Sequence, residues 1–125
     1  MNNAGFSVNP ELVSFYNDHF VERTGVGFTG NNFDINEPAV SEYSDEMLAN
    51  AKAYSYVAVF VISRLGGEGA DLPMEMDPNA TTQIVSSGKD VEQVVKGGDA
   101  GKHYLELQSV EQQVLDMLKE NFGTV

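Results

Sequence analysis

A single glutamate held between glycines is the clearest candidate for chemistry in this sequence. Glu68 lies in the stretch Gly66-Gly67-Glu68-Gly69, directly after a long apolar run. In open α/β sheets ligands bind just beyond the carboxyl ends of the strands, so a carboxylate in such a turn can act as an acid or a base on a bound substrate. An exposed acidic turn without a chemical role fits the same pattern.

Three other residues near this turn or in later loops are weaker candidates. Arg64 and Asp71 flank the glycines, but most surface pairs of this kind are solvated ion pairs of small value. His103 stands beside Tyr104 in a loop, where a ligand-facing role and a plain surface role both fit. The remaining histidine, His19, falls on an aromatic helix face and is interpreted as a packing residue.

Composition excludes several classes of function. The 125 residues include 7 basic and 19 acidic side chains, and a net charge of −12 disfavours nucleic acid and anionic membranes as partners. There is no cysteine, which excludes thiolate chemistry and fits a reducing, cytoplasmic location. The two histidines have no ligand spacing, so neither a metal site nor a cofactor is expected. No apolar run approaches the length of a membrane helix.

Three helices are expected from capping residues and apolar periodicity. Asn9 and Ser44 are typical N-cap residues, and Ser109 followed by Gln112 has the spacing of a capping box. The apolar positions behind each start recur at spacings of three and four. The predicted helices cover residues 10–22, 45–54 and 109–121.

The run from Tyr56 to Ser63 predicts a buried parallel strand, because it is uninterrupted and rich in β-branched residues. Further strands have to come from weaker segments, namely 5–8, 83–85 and 91–95, or from another copy of the chain. Residues 24–38 are expected to form an irregular loop. The predicted fold is a three-layer α/β/α sandwich with a small, mostly parallel sheet. We expect 1–125 to be a single, incomplete domain with a long variable loop at 72–102.

The order of these segments resembles a known family. The run Val57 to Arg64 is followed by Gly66-Gly67-Glu68-Gly69-Ala70-Asp71, then by Lys102-His103-Tyr104-Leu105-Glu106-Leu107 and a final helix. This arrangement resembles the α/β-sandwich domain of family 3 glycoside hydrolases over residues 40–125, and 5–10 resembles the lead-in to that domain.

The resemblance implies roles for individual residues. Glu68 would be the general acid/base of a retaining β-glycosidase, on a loop shaped by its flanking glycines Gly66, Gly67 and Gly69. Substrate-binding roles are expected for Asp71, Arg64, Gly67, Gly69 and His103. Many relatives carry an arginine directly after the aspartate, whereas Leu72 and Pro73 follow it here.

The resemblance also implies what lies outside this chain. In the family an aspartate nucleophile comes from a (β/α)8 barrel, which 125 residues are too few to contain. The expected partners are therefore a β-linked glucoside or xyloside, a missing barrel domain and a further copy of the chain. The chain alone is expected to be inactive. Two alternatives stay open: a non-catalytic carbohydrate-binding or interaction module, and a truncated reading frame without function.

Overall fold

Helices are the main regular elements of the part of the chain that the structure describes. The computed structural model describes residues 5–22, 26–27, 30–31, 33–66, 72–78, 82–84, 90–92 and 96–125. Within these residues the α-helices are α1 (Pro10–Asp18), α2 (Asp45–Tyr54) and α3 (Ser109–Asn121), and a 3-10 helix covers Val40–Glu42. The predicted positions of α2 and α3 are confirmed. That of α1 is confirmed at its start, but the helix ends four residues earlier than expected.

Local hydrogen bonds explain where α1 and α2 begin and where α1 ends. The Asn9 side chain accepts the N–H groups of Glu11 and Leu12, and Ser44 caps α2 in the same way. At the other end of α1, the backbone N–H of His19 lies 3.1 Å from the carbonyl oxygen of Phe15. The His19 ring nitrogen Nδ1 donates to the same oxygen at 2.8 Å. The next backbone N–H, that of Phe20, donates to the carbonyl oxygen of Asn17 only three residues back, at 3.2 Å, so the α-helical bonding stops before the predicted residue 22.

The start of α3 is capped one residue earlier than the sequence indicated. The N–H of Gln108 donates to the Glu111 carboxylate at 2.9 Å, so Gln108 is the cap residue and Glu111 occupies the third helical position. Ser109, the predicted cap, is instead the first residue of the helix. Its N–H and its hydroxyl both donate to the carboxylate of Asp99, each at 2.7 Å.

The predicted α/β/α sandwich with a mostly parallel sheet is wrong. The described strands are only two or three residues long and form two antiparallel pairs: β1 (Val26–Gly27) with β2 (Gly30–Asn31), and β3 (Thr82–Ile84) with β4 (Asp90–Glu92). Segments 83–84 and 91–92 are thus extended, but they pair with each other rather than joining a parallel sheet. Residues 5–8 form no strand.

The run 56–63, predicted as a buried parallel strand, forms no strand and is largely exposed. Within the described part of the chain, its parallel pairing is a single bridge between Val57 and Thr124, with the Ala58 N–H donating to the Thr124 carbonyl at 2.9 Å. Val59 is 73% exposed and Val61 is 64% exposed. A buried strand requires adjacent strands that bond its backbone and other segments that cover its side chains. A β-branched composition does not ensure that such segments are present.

The chain groups into two compact units, each with its own apolar core. The first unit contains the described residues of 1–21, 38–60 and 113–125. Its core is formed by four buried side chains: Phe15, Tyr43, Val114 and Met117. The second unit contains the described residues of 22–37 and 61–112. Its apolar core is formed by Phe33, Ile35, Met76 and Tyr104.

None of the helices in the described residues is long and apolar enough to cross a membrane. The cytoplasmic location stays a prediction, as do the single domain over 1–125 and the long loop at 72–102. The parts of that loop which the structure describes include Met76, a fully buried core residue.

Candidate functional site

Arg64 is the most fully bonded side chain near the predicted site. Its Nε donates to the carbonyl oxygen of Tyr104 at 2.8 Å, and its Nη2 donates to that of Glu106 at 3.0 Å. Nη1 donates to the carbonyl of Ser63 at 3.2 Å. The two remaining N–H groups bind the two oxygens of Glu111 at 2.5 and 2.6 Å. Since a guanidinium has five N–H groups, none is left for a sugar hydroxyl in this arrangement.

The partner of Arg64 is the Glu111 carboxylate, which also accepts a hydrogen bond from the residue directly before its own helix. The side chains of Arg64 and Glu111 are only 13% and 5% exposed, so the pair is largely withdrawn from water. Glu111 also accepts the N–H of Gln108, which fixes the carboxylate at the start of α3. Hydrogen bonding to Glu111 raises the pKa of Arg64 above its ordinary value, although burial opposes the rise. The arginine therefore stays charged at every accessible pH.

Tyr104 completes this group, which we call the arginine cluster: Arg64, Tyr104 and Glu111. Tyr104 is fully buried, and its ring centroid lies 5.5 Å from the Arg64 Cζ, within cation–π range. Its hydroxyl oxygen accepts the backbone N–H of Leu65 at 2.9 Å. The cluster thus holds Arg64 through its side chain and Leu65 through its backbone, immediately before Gly66.

A buried amide links the cluster to the loop in front of α3. Gln108 is fully buried, and its Nε2 donates to the carbonyl oxygens of His103 and Glu106 at 3.1 and 2.9 Å. Its Oε1 accepts the N–H of Asp99 at 2.8 Å. The Lys102 ammonium, followed by Ser109, holds the pKa of Asp99 below its ordinary value, with burial acting in the opposite direction. These bonds fix the loop from 99 to 108.

The His103 ring is bonded through its Nδ1 atom, and its Nε2 atom takes part in none of the hydrogen bonds described above. Its Nδ1 accepts the N–H of Leu105 at 3.0 Å, and its backbone N–H donates to the Glu106 carboxylate at 2.6 Å. A neutral ring that accepts through Nδ1 carries its proton on Nε2. The half-buried ring can therefore offer an Nε2–H donor to a ligand.

The structure places only part of the predicted site. Arg64 and His103 lie in the described part of the second unit, and Gly66 is exposed there. The other predicted site residues, Glu68, Gly67, Gly69 and Asp71, lie outside the described residues. Among the residues that are described, no group of three histidine, aspartate or glutamate side chains could hold a metal ion.

Sequence reasoning missed the partners of Arg64. Glu111 had no predicted role and Tyr104 was noted only for its segment, and the bond between Arg64 and Glu111 joins residues 47 positions apart. One signal was present in the sequence: Glu111 is a carboxylate in the first turn of a helix. Its capping partner, Gln108, lies one position before the serine that was predicted as the cap. No local pattern indicates that such a group also faces an arginine.

The sequence is similar to part of a known enzyme. Over 123 residues the chain is 34% identical to a protein named beta-glucosidase A from Butyrivibrio fibrisolvens. The alignment covers 98% of this chain but only 14% of that protein, so the chain spans a small part of the relative's length. No family model and no solved structure matches the chain. The similarity supports a relation to glycoside hydrolases, while membership of family 3 stays a prediction.

Proposed function

We propose that this chain is the part of a retaining β-glycosidase that supplies the general acid/base, with Glu68 in that role. The observation that carries the proposal is the similarity to a β-glucosidase along almost the whole chain. The arginine cluster adds support, because it fixes the position of the backbone at Leu65, directly before the glycine residues that flank Glu68. The proposal keeps the family 3 resemblance as its framework.

In this proposal Glu68 performs one half of a two-carboxylate reaction. In retaining glycosidases one carboxyl group protonates the departing oxygen while a second attacks the anomeric carbon, and the first then activates water. The nucleophile belongs to a (β/α)8 barrel that this chain does not contain. The substrate is a β-linked glucoside or xyloside, and this chain requires no metal or cofactor for its part.

Other predicted residues act around Glu68. Gly67 and Gly69 let the backbone approach the sugar, and Asp71 accepts hydrogen bonds from sugar hydroxyls. His103 contributes its Nε2–H to a sugar oxygen, since Nδ1 is already occupied by Leu105. Arg64 is assigned a supporting role instead of a sugar contact, because all five of its N–H groups are used within the protein.

Exposed apolar residues suggest that the chain works with further polypeptide. Val57 is 47% exposed and Val59 is 73% exposed, although each is typical of a covered strand. Uncovered extended segments of this kind pair readily with other chains. In the proposal they are covered by the rest of the glycosidase, or by a second copy when the chain is alone.

Two experiments test the proposal. The chain alone, incubated with aryl β-glucosides and β-xylosides, is expected to give no hydrolysis above the buffer rate. A hybrid in which this chain replaces the matched segment of the Butyrivibrio β-glucosidase is expected to hydrolyse them. A folded hybrid without hydrolysis, or clear turnover by the chain alone, would contradict the proposal. Calorimetric sugar binding by the chain alone, together with an inactive hybrid, would favour the carbohydrate-binding alternative.

A further inference from the structure

We propose that the arginine cluster is a positioning device, which sets where the backbone leaves Leu65 and Gly66 and thereby orients the turn that carries Glu68. This inference rests on the proposed function, since positioning matters only if the turn carries a reacting group. The cluster residues are positioning residues in this account, and none of them touches substrate.

Two consecutive residues, Arg64 and Leu65, are fixed by different means. The Arg64 guanidinium is bonded to a carboxylate and to two backbone carbonyls of the 104–111 segment. Directional bonds of this kind fix orientation as well as distance. The next residue, Leu65, is held through its backbone N–H by the Tyr104 hydroxyl. Position and direction of the chain are therefore both set at this point.

The residues on either side of the anchored pair Arg64 and Leu65 are exposed. Gly66 is exposed, and a Cβ placed on it would have no neighbouring atom within 4 Å among the described residues. On the preceding side Ile62 is 50% exposed. Among the described residues, the direction in which the chain reaches Gly66 therefore depends on the cluster.

The buried ion pair of Arg64 and Glu111 is better explained by geometry than by stability. A buried ion pair is weak evidence for stability, because apolar residues of similar volume often stabilise a core equally well. Apolar side chains would not reproduce the two carboxylate oxygens of Glu111 that accept from Arg64. Nor would they reproduce the Tyr104 hydroxyl that accepts the Leu65 N–H. The arrangement is better suited to fixing geometry, and a displacement of about 1 Å can slow an enzyme by about 100-fold.

The test measures backbone order in the chain as it exists. Nitrogen-15 relaxation of the Leu65 and Gly66 amides is compared between the unchanged chain and two variants, Tyr104→Phe and Arg64→Lys. Tyr104→Phe removes one hydroxyl and keeps the ring, so it retains the fold. Arg64→Lys keeps the charge but loses the planar fork. Two controls are Lys119→Gln, which breaks the exposed pair with Asp116, and Met117→Ala, which destabilises the other unit's core.

We expect the order parameter of the Leu65 amide to fall from about 0.85 to below about 0.6 in both cluster variants. Both controls should leave it unchanged. Unchanged order in folded Tyr104→Phe and Arg64→Lys chains would overturn the proposal. An equal fall in Met117→Ala would also overturn it, because general loosening would then explain the result.

A kinetic measurement in the active hybrid tests whether the cluster affects the reaction. Together with the amide measurements, it distinguishes a failure of the positioning role from a failure of the proposed function. In the active hybrid, Arg64→Lys is expected to lower kcat by about 10- to 100-fold while KM changes little. An unchanged kcat alongside disordered amides would overturn the positioning role in catalysis. If Glu68 proves not to be the acid/base, the proposed function fails, whereas the amide measurements still report on the cluster alone.

Discussion

Removal of the Glu111 carboxylate should reveal how the arginine cluster is held together. In Glu111→Leu the charged Arg64 stays buried without its partner, a change that typically lowers the free energy of unfolding by about 3–5 kcal/mol. Arg64→Met should give a loss of similar size, since it leaves the carboxylate buried and the carbonyls of Tyr104 and Glu106 without donors. Domains of this size have only about 5–15 kcal/mol in total.

The double variant Arg64→Met with Glu111→Leu separates the energy of the ion pair from that of the other hydrogen bonds made by these two residues. With both charges removed, the remaining cost is that of the two carbonyls and the Gln108 N–H, each about 1 kcal/mol or somewhat more. The double variant should therefore be no less stable than the worse single variant. The coupling between the two sites should reach at least about 2 kcal/mol.

Urea unfolding gives these values. The chain contains 5 tyrosines and no tryptophan, so far-ultraviolet circular dichroism and tyrosine fluorescence are suitable probes. Lys119→Met serves as the control, because its pair with Asp116 is more than half exposed and should contribute below about 0.5 kcal/mol. Additive losses in the double variant, or a loss in Glu111→Leu no larger than in the control, would refute the reasoning.

Three further predictions have defined outcomes. Asp99→Asn should lower stability by about 1 kcal/mol at pH 6 and by less at about pH 3. Its pKa is lowered when folded, so its contribution is full above about pH 3.9 and disappears as the pH falls through the folded-state value. Equal losses at both pH values in urea titrations would contradict this. Gly97→Ala should lower stability by more than about 2 kcal/mol, because φ is 73° and the new Cβ would meet the Ile35 carbonyl oxygen. Gly101→Ala, at φ 81° in open space, should lose only about 1–2 kcal/mol, and equal losses would refute the steric argument. Light scattering should give a mass above the 13.6 kDa of one chain, since uncovered apolar residues favour association, and a stable monomer would contradict this.

The helices were predictable because their signals are local. Asn9 and Ser44 accept N–H groups two or three residues ahead, so the sequence alone contains both partners of each bond. The end of α1 was missed because the Phe20 N–H bonds the Asn17 carbonyl instead of continuing the helix, and the apolar spacing that includes Phe20 gives no sign of this change. The cap of α3 was displaced by one residue, because Ser109 matched the pattern while Gln108 made the bond.

The sheet was not predictable for a different reason. The run 56–63 has the composition of a buried strand, but burial and ladder bonds depend on neighbouring segments that composition does not specify. In the described residues its neighbour is Thr124, at a single bridge. The pairing of β3 with β4 is antiparallel because the two segments adjoin in sequence, whereas a parallel pairing would need a long crossover.

The bonds made by Arg64 were not predictable from the sequence. Arg64 was only a weaker candidate for a substrate contact, and its partners Glu111 and Tyr104 lie 47 and 40 residues away. Contacts at such separations are set by how the chain folds back on itself. The glycine turn around Glu68 lies outside the described residues and stays a prediction. The role of Glu68 stays a prediction, supported by similarity to a β-glucosidase.

The most direct test of that role is the leaving-group dependence of Glu68→Ala in the active hybrid. A general acid matters most when the departing oxygen is strongly basic, so kcat/KM for a methyl or alkyl β-glucoside should fall by about 100- to 10,000-fold. For a dinitrophenyl β-glucoside, whose leaving group departs without a proton, kcat/KM should stay within about 10-fold of the unchanged hybrid. Equal losses on both substrates, or no loss on either, would contradict the assignment of Glu68 as the acid/base.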